Sequence, residues 1–143
     1  MGDPYAQKMT NKTFFHAKTD IAGKVVVVLD GVLDNRGLKL IQPISRAFPH
    51  GSIIELIGTT ETEAAPGAGV ETIAYIAFVE ILTGGVLLVG DEISWNGTVI
   101  GSVAGFDDTH VPNHQNTIVL TKDRRSGKAL GMRAGDEIFI KGF

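Results

Sequence analysis

The sequence contains no cysteine among its 143 residues. That absence excludes disulfide bonds, thiolate metal sites, iron–sulfur clusters and a thiol nucleophile. Long apolar runs are also missing, because the longest, residues 73–79, is far shorter than the ~20 residues that a membrane-spanning helix needs. The opening residues MGDPYAQKMTNK have no apolar core of the kind that marks a secretory signal. We therefore expect a cytoplasmic protein without a membrane partner.

Positive charge is missing from the middle of the chain. Residues 47–121 contain no Lys or Arg but nine Asp and Glu residues. Because Lys and Arg supply the affinity for phosphate backbones, we expect no nucleic-acid partner. The basic piece that follows could bind an anion, or it could be an exposed turn that faces the acidic middle. Its cations are Lys122, Arg124, Arg125, Lys128 and Arg133.

Glycine and short β-type runs are abundant, whereas helical patterns are scarce. The chain has 18 Gly residues, and runs rich in Val, Ile and Thr alternate with turn residues. This pattern predicts a mainly β protein, a small β-barrel formed by residues 12–143 after a flexible N-terminus of residues 1–11. Four consecutive valines at residues 25–28 suit a strand buried on both faces. The predicted strands are residues 12–18, 24–30, 52–57, 71–82, 117–122 and 137–143.

One short helix is predicted near residues 37–48. Leu38, Ile41, Ile44 and Phe48 recur at intervals of three or four residues, which is the helical period. Pro43 lies inside this pattern. The helix must therefore be short, begin near Pro43, or be kinked there.

Two turn signals stand out in the last third of the chain. Asn96 and Gly97 separate two β-type runs, and this pair supplies the positive φ angles of a type I′ turn, so we predict a hairpin. The tetrapeptide GDEI occurs at residues 90–93 and again at 135–138. We expect each copy to be a Gly-Asp turn that starts a strand whose Ile faces inward, a shared device that requires no gene duplication.

The polar stretch DDTHVPNHQN, residues 107–116, holds two of the four histidines. It lies between two predicted strands, at an end of the sheet, where binding residues often gather. Two imidazoles and a carboxylate suit a divalent transition metal. We therefore predict His110, His114, Asp107 and Asp108 as metal ligands.

Other interpretations of this loop stay open. Pro112 disfavours a helix between the two histidines, so their spacing does not by itself bring the rings together. Asp, Asn and His side chains also stabilise long connections by bonding to nearby backbone, which would make the loop structural or a subunit contact. A third possibility is a histidine that acts as acid, base or phosphoryl acceptor.

Gly90 and residues 100–104, 117–120 and 135–140 form an ordered series of short β-type motifs. In this order they resemble the C-terminal two-thirds of the glucitol/sorbitol-specific IIA component of the bacterial sugar phosphotransferase system. The resemblance implies a related small β-barrel. That family accepts its phosphoryl group on a histidine before the first of these strands, whereas residues 74–85 here contain none. The resemblance therefore implies no catalytic residue in this chain. The chain as a whole resembles an uncharacterised prokaryotic family.

No complete catalytic motif is present, so the catalytic residues are unknown. The expected function is a small homo-oligomeric binding module for a partner or a small ligand that the sequence does not name. One alternative is a metal-dependent enzyme that uses the His110 and His114 loop. Another is a regulator related to the sugar phosphotransferase system that lacks the usual acceptor histidine.

Overall fold

The computed structural model describes residues 18–142, so the predicted flexible residues 1–11 and almost all of the predicted strand at residues 12–18 lie outside it. Strands dominate the described chain, which has one short helix. The elements are β1 (Ile21–Val28), β2 (Val32–Leu33), β3 (Leu38–Lys39), β4 (Ser45–Phe48), β5 (Ile53–Thr59), β6 (Gly69–Val70), β7 (Ile73–Thr83), β8 (Gly85–Leu88), β9 (Glu92–Trp95), β10 (Thr98–Asp107), β11 (Gln115–Leu120), α1 (Gly127–Leu130) and β12 (Glu137–Lys141). None of the helices in this part of the chain is long and apolar enough to cross a membrane.

Seven of the strands form a closed barrel. Their order is β1-β12-β9-β10-β11-β5-β7, and β7 pairs with β1 to close the ring. Neighbours are antiparallel except for β5 and β11, which run parallel. The predicted mainly β fold and small β-barrel are therefore confirmed.

Side chains that alternate along the strands fill the barrel. Ile138 and Ile140 on β12 face inward with Ile21 and Val25 of β1, and each is at most 1% exposed. The valine run behaves differently from the prediction, because Val27 is 46% exposed. A register irregularity against β7 at this point turns the side chain outward, so only part of the run is buried.

A second apolar cluster lies on the outside of the barrel wall. The short strands β3 and β6 pair with each other and cover part of β5 and β11. Leu38, Leu40 and Val70 pack there against Ile57 and Ile118. This stretch of wall therefore has protein on both faces, which explains its near-continuous apolar sequence.

The predicted helix near residues 37–48 is wrong. The segment contains β3 and β4, since Leu38 and Leu40 are buried on the outer wall while Lys39 between them is exposed. The period of two decides the structure, and the spacing of three or four is coincidental.

The helix of the described chain is α1, between β11 and β12. Its N-cap is Ser126, whose hydroxyl accepts a hydrogen bond from the Ala129 N–H at 3.1 Å, and it ends at Gly131 with a φ of 90°. Serine before the helix and glycine after it are the usual boundary signals. Gly127 packs against the carbonyl oxygen of Ile76, so α1 lies directly on β7.

Both predicted turn devices are confirmed. Asn96 and Gly97 join β9 to β10 with φ angles of 46° and 86°, as a type I′ turn requires. The glycines of the two GDEI copies have positive φ angles, 97° at Gly90 and 94° at Gly135. Each copy precedes a strand with a fully buried Ile, and those two strands, β9 and β12, pair with each other.

Candidate functional site

Asp107, the last residue of β10, anchors the polar loop from inside. Its carboxylate is 3% exposed and accepts hydrogen bonds from the backbone N–H of Lys39 at 3.0 Å and of Thr109 at 2.8 Å, and from the Asn116 amide at 3.2 Å. Burial, the largest single influence, raises its pKa, but the hydrogen bonds from Thr109, Lys39 and Asn116 together outweigh it and the pKa is lowered. Asp107 is therefore an ionised residue whose oxygen atoms are already occupied.

Asp108 points the other way, toward solvent. The guanidinium of Arg46 contacts both of its carboxylate oxygens, at 3.1 and 2.9 Å. The side-chain amide of Gln115 donates to the same carboxylate at 2.9 Å. The two neighbouring aspartates thus bind different parts of the protein, β3 in one case and β4 in the other.

His114 lies over the outer wall and has both ring nitrogens engaged. Its Nε2 is 3.0 Å from Glu55 Oε1, and its Nδ1 is 2.9 Å from the side-chain nitrogen of Asn113. Since that amide donates to Nδ1, the ring proton is on Nε2 and is donated to Glu55. The edge of the ring meets Phe78 at a centroid distance of 4.9 Å, and the side chain is only 9% exposed.

The structure brings the two predicted histidines together but not the two aspartates. His110 is exposed, and its ring lies beside that of His114 at a centroid distance of 5.0 Å. Within residues 18–142, no group of three or more His, Asp or Glu side chains is arranged to hold a metal ion. The chemistry available at this end is a hydrogen-bonded His–Glu pair with an exposed imidazole next to it.

The sequence interpretation missed two members of this polar cluster, Glu55 and Asn116. Phe78, Glu55, Asn116 and Asp107 are cross-strand neighbours, one on each of β7, β5, β11 and β10. Because these four residues lie side by side across the sheet, the loop that follows β10 lies close to Glu55 on β5. The available signal was the single charged residue in the apolar run SIIELI, residues 52–57.

A cleft opens at the opposite end of β10 and β11. Leu120, the last residue of β11, pairs with Ser102, so within residues 18–142 the first four residues of β10, Thr98 to Gly101, have no strand on that side. The chain leaves β11 by continuing along β5, where the Thr121 N–H donates to the Thr59 carbonyl at 2.8 Å. The gap between the two diverging segments has a volume of about 1150 Å³, as large as typical ligand sites.

The cleft combines an apolar floor with a hydroxyl-rich rim. Its large apolar lining residues are Ile76, Trp95, Ile100, Leu120 and Leu130. Its hydroxyl-bearing lining residues are Thr60, Thr62, Thr98, Ser102 and Thr121. An apolar surface with a few polar groups that fix orientation is the usual character of a binding site.

Charges of both signs lie around this cleft, with cations in excess. Lys122, Arg125 and Lys141 face two acids, Glu92 and Asp123. Arg125 Nε is 3.1 Å from Asp123 Oδ2, so these two form a pair. In the described part of the chain, none of Lys122, Lys141 and Glu92 forms an ion pair. The unpaired charges of the cleft are therefore two positive and one negative, with Glu92 opposite Lys141 on the neighbouring strand.

Other cations of the basic piece are engaged outside the acidic middle. Arg124 Nη1 is 2.7 Å from Asp34 Oδ1, and Lys128 Nζ is 3.9 Å from Asp30 Oδ2. Asp30 lies between β1 and β2 and Asp34 follows β2, so neither acid belongs to residues 47–121. The sequence signal for the cleft is the group of basic residues directly after a strand. That signal does not show that β10 extends beyond the end of β11 along their shared edge.

The comparisons with known proteins place the chain in a family. Residues 15–141 match DUF6917, a family of unknown function. The chain belongs to this family. The DUF6917 match includes every strand of the barrel, from β1 to β12. Neither the comparison with curated proteins nor the one with solved structures gives a match.

Proposed function

We propose that this protein is a binding module whose ligand occupies the cleft between the start of β10 and the segment after β11. One observation carries the proposal: the large cleft beside Thr98 to Gly101, where the barrel wall within residues 18–142 lacks a strand. The apolar floor would bury apolar groups of the ligand, and the hydroxyls and lysines of the rim would orient its polar groups.

Binding to the cleft can be followed by intrinsic tryptophan fluorescence. Trp95 is the only tryptophan of the chain and lines the cleft. Its indole N–H donates to Asp136 at 2.9 Å, which fixes the ring near the cleft. We expect a ligand to change Trp95 fluorescence and to raise the melting temperature by mass action. The first panel consists of small carboxylates, phosphates, polyols and short peptides.

A plugged variant tests the location. Thr98 is exposed at the start of β10, so T98Y narrows the cleft without removing a buried contact. The matched control is T83Y, an exposed strand residue that does not line the cleft. A true ligand binds the wild type and T83Y alike and T98Y about tenfold more weakly. A panel without binders, or binders that ignore T98Y, would contradict the proposal.

We also propose that the module is a homo-oligomer. Large apolar side chains lie exposed on the outside of the barrel, with Val27 at 46%, Phe139 at 36% and Leu82 at 40%. Exposed apolar groups that lie on neighbouring strands favour a protein contact. Light scattering after size-exclusion chromatography tests the assembly, and F139K should shift it toward the monomer. A wild-type monomer at tens of micromolar would contradict this part.

A metal-dependent enzyme at the His110 and His114 loop stays a hypothesis. The adjacent rings support it, while the occupied nitrogens of His114 and the engaged oxygens of Asp107 and Asp108 oppose it. Elemental analysis of protein purified without a histidine tag decides the question. Less than about a tenth of an equivalent of any transition metal, with no uptake on titration, would end the hypothesis.

A regulator related to the sugar phosphotransferase system also stays a hypothesis. Its support is the sequence resemblance after Gly90, and shared fold alone is a poor guide to activity. Incubation with a phosphorylated general phosphocarrier protein, followed by intact mass, tests it. No gain of one phosphate would remove it. The cytoplasmic location and the absence of nucleic-acid and membrane partners also stay predictions, which cell fractionation and pull-down with DNA and vesicles would test.

A further inference from the structure

We infer that the ligand of the cleft is an extended peptide segment that adds to the free edge of β10. The inference rests on the proposed function and names the class of partner. Trp95 and Thr98 flank the two-residue turn, so they form the bonded pair that closes the hairpin. In an antiparallel ladder the next residue, Val99, directs its N–H and C=O away from β9. Both groups therefore face the side where β11 has ended.

No group within residues 18–142 takes these backbone positions. Within residues 18–142, Val99 has no backbone or side-chain hydrogen bond outside its own hairpin. The last pair is Ser102 with Leu120, and Gly101 beside it lies so close to the carbonyl oxygen of Leu120 that an added Cβ would collide with it. A peptide that lies along Thr98 to Ile100 would continue the sheet in the place that β11 leaves at Leu120. Main-chain hydrogen bonds of this kind give affinity without sequence preference.

The two faces of the added strand would meet different surroundings. Val99 is 52% exposed on the outside, whereas Ile100 packs against the barrel core. Inward side chains of the peptide would reach Ile76 and Leu130 on the floor of the cleft, so they are apolar. The remaining side chains lie at the rim with Lys122 and Lys141, so they are acidic. The partner is thus a segment with alternating apolar and acidic residues.

The decisive variant removes one N–H. Proline is tolerated at a strand edge whose N–H carries no ladder bond, so V99P should fold. V99A shortens the same side chain but keeps the N–H and is the matched control. The probes are heptapeptides with alternating apolar and acidic residues, selected from a displayed library on the full chain. We expect V99P to bind these peptides about tenfold more weakly than V99A does, as loss of one hydrogen bond predicts.

A charge reversal tests the chemistry of the partner. K122E combined with K141E should weaken these peptides about tenfold and reduce the dependence of binding on salt. K24E is the control, because Lys24 lies outside the cleft beside Glu80. If K24E weakens binding as much as the double variant, the lysines of the rim do not select the peptide. The inference that the peptide carries acidic residues is then overturned.

A second measurement keeps the inference testable if V99P fails to fold. In the wild type, the Val99 amide should exchange rapidly with solvent and become protected when peptide binds. An amide that is equally protected with and without peptide overturns the inference, and so does a selection that yields no peptide. If a small molecule of the panel binds in the cleft and no peptide does, the inference fails while the proposed function stands. If nothing binds, both fail.

Discussion

A single carboxylate, that of Asp107, joins the polar loop and β11 to β3, which lies far earlier in the sequence. Its hydrogen bonds connect β3, the start of the polar loop and β11. Because it is buried, no water replaces a lost contact. These contacts give Asp107 a structural role, and its predicted role as a metal ligand stays a hypothesis.

Asp107 should also give the protein an acid sensitivity. Its pKa in the folded state lies below the ordinary value of 3.8. The stabilisation is therefore complete above that value and is lost as the pH falls through the folded-state pKa. We expect D107N to lower the free energy of unfolding by about 2 kcal/mol at neutral pH, and by less near pH 3. Urea unfolding at both pH values checks this, and a constant difference would contradict the assignment.

His114 and His110 should differ sharply despite their adjacent rings. H114A leaves the carboxylate of Glu55, a residue that is 6% exposed, without its donor, so we expect a loss of about 2 kcal/mol. H110A removes an exposed ring and should cost less than about 0.5 kcal/mol. Thermal or urea unfolding measures both variants.

A double-mutant cycle separates the interaction between Glu55 and His114 from the other effects of removing the imidazole ring. Adding E55Q to H114A should recover part of the loss, because the buried charge is then absent. If H114A costs no more than H110A, or if the two substitutions are additive, Glu55 and His114 are not coupled and the described role is wrong.

Among the elements, the β9–β10 hairpin is the one that the sequence predicts best. The Asn96-Gly97 pair has few conformational alternatives, so local chemistry alone determines it. The Gly-Asp turns before β9 and β12 are predictable for the same reason. By contrast, residues 37–48 carry a helical spacing and an alternating one at once, and only the outer wall that buries Leu38 and Leu40 selects between them.

Gly97 gives a test at this scale. Its φ is 86° and no atom lies within 4 Å of an added Cβ, so G97A costs only backbone strain, about 1–2 kcal/mol. The control is G69A, since Gly69 has no positive φ and the nearest atom would be 3.7 Å away. We expect G69A to stay within about 0.5 kcal/mol of the wild type. Equal costs for the two variants in urea unfolding would contradict this account.

For the whole molecule, the sequence predicts the class of fold but not the cleft. A β-barrel follows from short β-type runs and turns, and the structure confirms it. The cleft exists because β11 ends at Leu120, whereas β10 begins four residues before the residue that pairs with Leu120. No periodic pattern in the sequence shows where one strand ends relative to its neighbour. The polar loop is chemically conspicuous in the sequence, and in the described chain most of its polar side chains form hydrogen bonds with other groups of the protein.

A closed barrel should unfold as one unit. Each barrel strand pairs with two neighbours, so loss of one strand opens the ring. We expect the far-ultraviolet circular dichroism and the fluorescence of Trp95 to report the same midpoint in urea. G97A should shift both midpoints together. A fluorescence transition that clearly precedes the loss of circular dichroism would show that the β9–β10 hairpin melts separately.

The ring closure also sets the order of events during synthesis. Ile21 of β1 pairs with Ile140 of β12, so the nascent chain must release more than a hundred further residues before its first barrel strand is complete. Until then the edge of β1 that β12 covers, at residues 21–24, lacks that partner, and unpaired edges favour contacts with other chains. The sheet therefore stays incomplete, and open to such contacts, for most of the translation of the chain.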